Sequence, residues 1–354
     1  MGRPSAQIEL VAESLSVGSI YVGGDAAEVG VHDAYGRVVD RRSVRCDTTT
    51  NGAEILRDLA EQLRALARDA GVIDRMVGAG ATIKSGVSQG RILTARPTWR
   101  DVPAADILSE VLGLEVTVDR SQRALVTAES WFGAGAGSGV VAVLDVSDAV
   151  GAGISVDGRA LEGFDSREGH LGHVVVPEGV RVCDSCGRPG CLQAQIRDAA
   201  FAEDAREVLD QPGTGGSGEV IDLLYQAARD GNRSAVRLVE ARGRLVGHAL
   251  GLLTAVVDPE VIVVSGPTIV RGWDLLEPVI TTERLRSSPL PHLDRHSRVV
   301  PSPFGEEAVL VGTAALALRQ FYVEPVYPDP RPRAVHAPLD RRPPRAVATV
   351  RAGR

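Results

Sequence analysis

The chain has 354 residues, of which 44% are hydrophobic and 24% charged, and its formal net charge is −7. That length suggests about two domains with sizeable cores, and the acidic balance excludes a surface that coats nucleic acid broadly, though not a local reading module. No run of about 18 apolar residues occurs and Met1-Gly2-Arg3-Pro4 lacks a signal core, so a cytoplasmic protein is expected, with its four cysteines reduced and acting as ligands or core thiols.

Ser19 to Val31 reads as a strand, a turn at Gly23-Gly24 and a second strand, followed by a strand near Val38–Val44. Ile55, Leu56, Leu59, Leu63 and Leu66 recur at spacings of three and four, which predicts an amphipathic helix. A short strand over 77–83, a helix over 104–112, a strand over 116–118 and a helix over 124–132 complete the first half. The second half repeats the opening: a strand over 140–146, a turn at Val150-Gly151-Ala152-Gly153, a returning strand over 154–156 and a hairpin turn at Asp157-Gly158. A long helix over 234–257 leads through Asp258-Pro259 into the β-branched strand Val261–Val264, then Ser265-Gly266, and a last helix runs over 306–320. Two copies of strand, glycine turn, strand, helix and strand predict a duplicated α/β domain around a cleft. Residues 211–218 read as a flexible loop, and the Pro/Arg-rich stretch from 327 onward as a disordered tail.

One histidine and three cysteines sit close together: His173, Cys183, Cys186 and Cys191, within the segment 169–193. One His and three Cys make a complete tetrahedral zinc set, and four protein ligands leave no open position for a catalytic water, so a structural Zn2+ is expected. Glycine after Cys186 and before Cys191 would let backbone amides approach the thiolates. Cys46 stands apart as a core thiol.

Gly169-His170-Leu171-Gly172-His173 followed by Cys183-x-x-Cys186-Gly187-x-x-Gly190-Cys191 resembles the ROK family of sugar kinases and sugar-responsive repressors. So do Trp99-Arg100-Asp101-Val102-Pro103, Ala128-Glu129-Ser130-Trp131-Phe132-Gly133-Ala134-Gly135, Val150–Ile154 with Asp157-Gly158-Arg159, and Asp258-Pro259-Glu260. The resemblance implies two actin-like (ribonuclease H-like) lobes, at 18–135 and 136–326, with a sugar cleft between them, and a homodimer or homotetramer. Cys183 departs from the family's tighter spacing by one residue and is the weakest of the expected ligands.

A sugar kinase needs a carboxylate base, glycine turns for the ATP phosphates and Mg2+. The position that the resemblance assigns to the base, eight residues before Glu129, holds Ser121, with Arg120 before it. Serine is no base near neutral pH without an activator, and Asp119 is the weak candidate left. The glycines matching the family's phosphate turns are Gly23, Gly24, Gly151, Gly153 and Gly266, but Tyr21, Asp25 and Ser147-Asp148-Ala149 replace the usual polar and glycine partners. A carboxylate about 5 Å from a phosphate costs roughly 3 kcal/mol at an effective dielectric near 20. Two such charges, at Asp25 and Asp148, argue against ATP and Mg2+. His170 stands where family kinases carry a sugar-contacting Glu, so His170 and Glu129 are the expected sugar contacts, with His170 tied to the metal loop through His173. The turn at Thr94–Thr98 lacks the family's sugar-binding Asn.

Residues 1–17 resemble the end of a DNA-binding wing, Gly2-Arg3-Pro4 preceding a strand. The leading expectation is thus a sugar- or phosphosugar-responsive regulator, or its effector-binding part, without kinase activity. DNA would be a partner only through a helix-turn-helix encoded upstream. A glucokinase-like enzyme with relocated catalytic groups and a zinc-stabilised scaffold that binds a protein are the alternatives.

Overall fold

A computed structural model describes residues 10–323 except 24, 25, 47–49, 97, 98, 165, 178, 212–214 and 290–296. Gly24, Asp25, most of the wing-like segment and the 327–354 tail therefore lie outside the described residues.

The first half runs β1 (Ser16–Val22), β2 (Ala26–His32), β3 (Val38–Arg45), α1 (Gly52–Asp69), β4 (Met76–Ile83), β5 (Gly86–Ser88), β6 (Arg91–Arg96), β7 (Trp99–Val102), α2 (Ala104–Leu112), β8 (Val116–Arg120) and α3 (Ser121–Trp131). The second runs β9 (Val140–Val146), β10 (Val150–Val156), β11 (Arg159–Ala160), α4 (Leu192–Ile196), α5 (Asp198–Leu209), α6 (Ser217–Arg229), α7 (Arg233–Val257), β12 (Val261–Ser265), α8 (Pro267–Arg271), α9 (Trp273–Ser287), β13 (Arg298–Pro301) and α10 (Ala308–Val323).

Two five-stranded mixed sheets form the lobes, in the orders β3-β2-β1-β4-β8 and β11-β10-β9-β12-β13. In each, an antiparallel meander is extended by two parallel strands, β4 and β8 in the first and β12 and β13 in the second. The duplication expected from the sequence is thus a duplication of topology. A small antiparallel sheet, β5-β6-β7, rides on the first lobe.

The apolar stripe on α1 explains how the first sheet is covered. Asn51 Oδ1 accepts the Ala53 amide at 2.9 Å to start the helix, and Ile55, Leu56, Leu59, Leu63 and Leu66 are all buried in the core of the first lobe. β12 is buried along its whole length, as expected for a parallel strand covered on both faces.

Two helices cross between the halves. α3 packs against β9 and β10, while α10 returns from the second half to pack on β1, β4 and α3. Glycines permit this close approach: a Cβ at Gly80 would stand 1.9 Å from the carbonyl oxygen of Thr313, and one at Gly153 would stand 2.2 Å from that of Gln122. The segment 150–153, expected as a turn, is therefore strand, and the turn lies at 147–149. Its glycines serve helix packing, a requirement that sequence cannot distinguish from turn formation.

Candidate functional site

Parallel strands bring side chains together at their C-terminal ends. Ile83 of β4 pairs with Arg120 of β8, so Lys84 and Arg120 emerge side by side at the mouth of the first lobe. From the second lobe the β9–β10 turn and the loop leading to His173 face them. Between the lobes lies a cavity of about 460 Å³ lined by Lys84, Ser85, Gly86, Arg120, Gln122, Ala149, Val150, Gly151, Gly169, His170, His173, Ser185 and Gln193. That volume is within the range of roughly 300–1,000 Å³ common for small-molecule sites.

Two polar networks frame it. Arg120, 5% exposed, donates through Nη1 to the carbonyls of Ser166 (2.9 Å) and Glu168 (2.8 Å) and to Glu168 Oε1 (3.2 Å). Arg123 Nη1 lies 3.4 Å from the same carboxylate, and its Nε donates to Asp119 Oδ1 at 2.6 Å. Asp119 also accepts the Arg120 amide at 2.6 Å. Burial pushes the Asp119 carboxyl up, while Arg123 pulls it back toward ionisation.

Lys84 Nζ donates to Ser147 Oγ at 3.1 Å, sits 3.7 Å from Asp148 and lies 5.9 Å from the Tyr21 ring centroid. Burial opposes its charge, but Tyr21, Asp145 and Asp148 outweigh burial and hold it protonated. Asp145 is pushed up to about 6 by complete burial, with Lys84 and the Ser147 hydroxyl resisting.

A second cavity of about 170 Å³ opens behind Lys84, lined among others by Tyr21, Glu28, Asp145, Asp148, Asp198, Gly266 and Glu306. Gly266 adopts φ +125, and a Cβ there would meet the Val146 carbonyl oxygen at 2.0 Å. Of the other expected phosphate-turn glycines, Gly151 lines the larger cavity, Gly153 packs under α3, and Gly23 closes the β1–β2 turn by donating its amide to the Ala26 carbonyl at 3.0 Å.

The sugar and base positions separate. His170 lines the cavity, with Nδ1 2.8 Å from the Arg167 carbonyl and its ring stacked on His173 at 6.1 Å between centroids. Glu129 does not line it: the carboxylate is fully buried, accepting from Ser302 Oγ at 2.6 Å and from the Ala134 amide at 3.0 Å. It ties the end of α3 to the segment before α10, and burial pushes its carboxyl up. Ser121 begins α3 with its hydroxyl buried and without a hydrogen-bond partner among the described residues. Asp119 is held by Arg123. Lys84, Gln122, Ser185 and Gln193 were not legible as site residues. Their one sequence signal is a polar residue following an apolar strand, as Lys84 follows β4.

The four expected metal ligands do converge. The donor atoms of His173, Cys183, Cys186 and Cys191 all lie within 4.8 Å of one another, with Cys183 Sγ 3.7 Å from His173 Nδ1 and Cys186 Sγ 3.3 Å from Cys191 Sγ. Zn–S bonds of about 2.3 Å and Zn–N bonds of about 2.0 Å put tetrahedral edges at roughly 3.5–3.8 Å, so the donor set is consistent with a zinc site. Cys183, despite its spacing, is among them. The Arg188 amide draws the exposed Cys186 thiol down to about 6, toward the thiolate a metal requires. Gln193 links this loop to the cavity floor, accepting the Val150 amide at 3.2 Å and donating to Ser185 at 3.0 Å.

Two lobes of equivalent topology around a polar cleft, with a cluster of one histidine and three cysteines at its rim, define a two-lobed α/β protein of the actin-like fold. The chain belongs to the ROK family, whose sequence model matches residues 17–320. It is 28% identical over 308 residues to a glucokinase of Thermotoga maritima, covering 83% of this chain and 95% of that one. It is 26% identical over 361 residues to a transcriptional regulator of Mycobacterium tuberculosis, covering 98% of this chain and 79% of that one. The ROK hexokinase structure from Thermus thermophilus superposes with a TM-score of 0.69 at 27% identity, covering 87% of this chain and 99% of that chain. Kinases and regulators are thus similar to it at nearly the same identity.

Proposed function

We propose that this chain is a sugar-responsive regulator, or the effector-binding part of one, and does not transfer phosphate. One observation carries the reading: among the described residues, no carboxylate lines the larger cavity. A general base must come within hydrogen-bond reach of the hydroxyl it deprotonates. Ser121, at the family's base position, is buried off the cavity, and Asp119 is engaged by Arg123. The nucleotide side supports the same reading. Its cavity of about 170 Å³ is small for a nucleoside triphosphate and carries carboxylates where phosphates would lie. A structural zinc on His173, Cys183, Cys186 and Cys191 would hold the loop that presents His170 and Ser185 to the ligand.

The identity to glucokinases over nearly their full length favours the kinase reading instead. A coupled ADP-release assay across common hexoses and N-acetylhexosamines separates the two, with no turnover above background expected. Turnover abolished by Asp119→Asn would overturn the regulator reading.

A further inference from the structure

We infer that the ligand of the larger cavity is an anionic monosaccharide, carrying a phosphate or a carboxylate, and that Arg120 and Lys84 receive the anion. The inference rests on the sugar-binding reading above but not on the absence of kinase activity. The cavity lining holds the cations Lys84 and Arg120 and, among the described residues, no carboxylate. The carboxylates that balance them are outside the lining: Glu168 and Asp119 pair with Arg120 and Arg123, and the buried Asp145 and the exposed Asp148 stand beside Lys84.

Hydrogen-bonding capacity points the same way. A neutral pyranose presents hydroxyls that are best held by paired carboxylate acceptors. Here the side-chain acceptors are largely spent. Gln193 Oε1 takes the Val150 amide and Ser185 Oγ takes the Gln193 amide, while His170 donates Nδ1 to the Arg167 carbonyl, so the acceptors left in the lining are few, His170 Nε2 and the Gln122 amide oxygen among them. Donors remain. All hydrogen bonds of Arg120 among the described residues pass through Nη1, which leaves Nε and Nη2 to form the two-pronged edge that fits a phosphate or carboxylate. Lys84, one residue beyond the strand partner of Arg120, adds a point charge from the same edge of the first lobe. A donor-rich pocket of this volume, with no carboxylate in its lining among the described residues, suits an acceptor-rich anionic sugar over a neutral one.

Calorimetric titration of the full chain with glucose, glucose 6-phosphate, glucuronate and inorganic phosphate tests this. At least one of the two anionic sugars is expected to bind about tenfold or more tightly than glucose and than inorganic phosphate, with a preference that weakens at high salt. Which of the two binds better tells phosphate from carboxylate. Arg120→Gln should erase the preference. In case that variant folds poorly, the nearly isosteric Gln122→Glu places a carboxylate in the lining and should weaken the anionic sugar by about tenfold or more relative to glucose. Glucose binding as tightly as both anionic sugars, no binding of either, or an unchanged preference in folded variants would overturn the inference. Glucose bound alone without ADP release would leave the regulator reading standing, whereas ADP release would remove that reading and not this one.

Discussion

His32 shows how one buried residue sets a pH response. It is fully buried at the end of β2, with Nε2 2.8 Å from Ser19 Oγ and Nδ1 3.1 Å from the Gly36 carbonyl. Burial lowers its pKa to about 4 against an ordinary value of 6.5. The unfolded chain therefore binds a proton between pH 6.5 and 4 that the folded chain refuses, and stability falls as pH drops through that window. By pH 4.5 the loss is on the order of 2 kcal/mol relative to about pH 7.5. Asp145 works in the opposite sense. Its raised pKa favours the folded state while protonated, a contribution lost as pH rises from about 4 toward 6. Urea denaturation of His32→Gln at the two pH values should show a pH-dependent loss smaller by that amount, whatever the substitution costs at both. An unchanged difference would assign the acid sensitivity elsewhere. At this scale sequence spoke unevenly. The departure at Arg120-Ser121 was visible by counting back from Glu129, but the direction of each side chain was not. Arg120 reached the cavity, whereas Ser121 and Glu129 turned inward, because α3 begins at Ser121 and its face is set by packing on β9 and β10.

Elements with a strong apolar period were legible, and those whose partners decide their shape were not. α1 and α7 could be read from spacing and bounding residues, and the structure places them at Gly52–Asp69 and Arg233–Val257. α9 carries Pro278 within it and only three buried residues, so no stripe marked it. The glycines of β4 and β10 were visible, yet their meaning lay in a helix far along the chain. Gly80→Ala should cost about 2–3 kcal/mol, since a new methyl 1.9 Å from the Thr313 carbonyl oxygen forces α10 off β4. Gly71→Ala offers a contrast. It meets nothing within 4 Å but sits at φ +67, so its cost should be about 1 kcal/mol and purely conformational. Chemical denaturation that ranks the two the other way would discount helix approach as the reason for Gly80. The metal loop behaves as a third kind of element. Among the described residues its β-pairing reduces to two isolated bridges, Val175 with Cys191 and Val182 with Pro189. We expect one zinc per chain by elemental analysis, and strong chelation should speed tryptic cleavage at Arg181 by about tenfold or more. Cleavage indifferent to chelation would remove the metal from the account of that loop.

Across the whole molecule, the duplicated topology could be read from two glycine-containing strand pairs, but the contacts that hold the lobes at one separation could not. Two latches span the cleft from the strand ends of the first sheet to loops of the second half. Lys84 meets Ser147 and Asp148, and Arg120 with Arg123 meets Glu168. They are unequal. Asp148 is 72% exposed, and a pair of that kind contributes about 0–1 kcal/mol after screening. Glu168 is 9% exposed against arginines exposed by 6% and 8%, and breaking such a buried pair from one side typically costs about 3–5 kcal/mol, because Arg120 loses its counter-charge even though Arg123 keeps Asp119. The second latch should therefore govern the width of the cleft. Small-angle scattering of the ligand-free chain should show a larger radius of gyration for Glu168→Gln than for the unsubstituted chain, with Asp148→Asn indistinguishable from it. The reverse order would mean that the turn between β9 and β10, and not the loop before His173, sets the resting separation of the lobes.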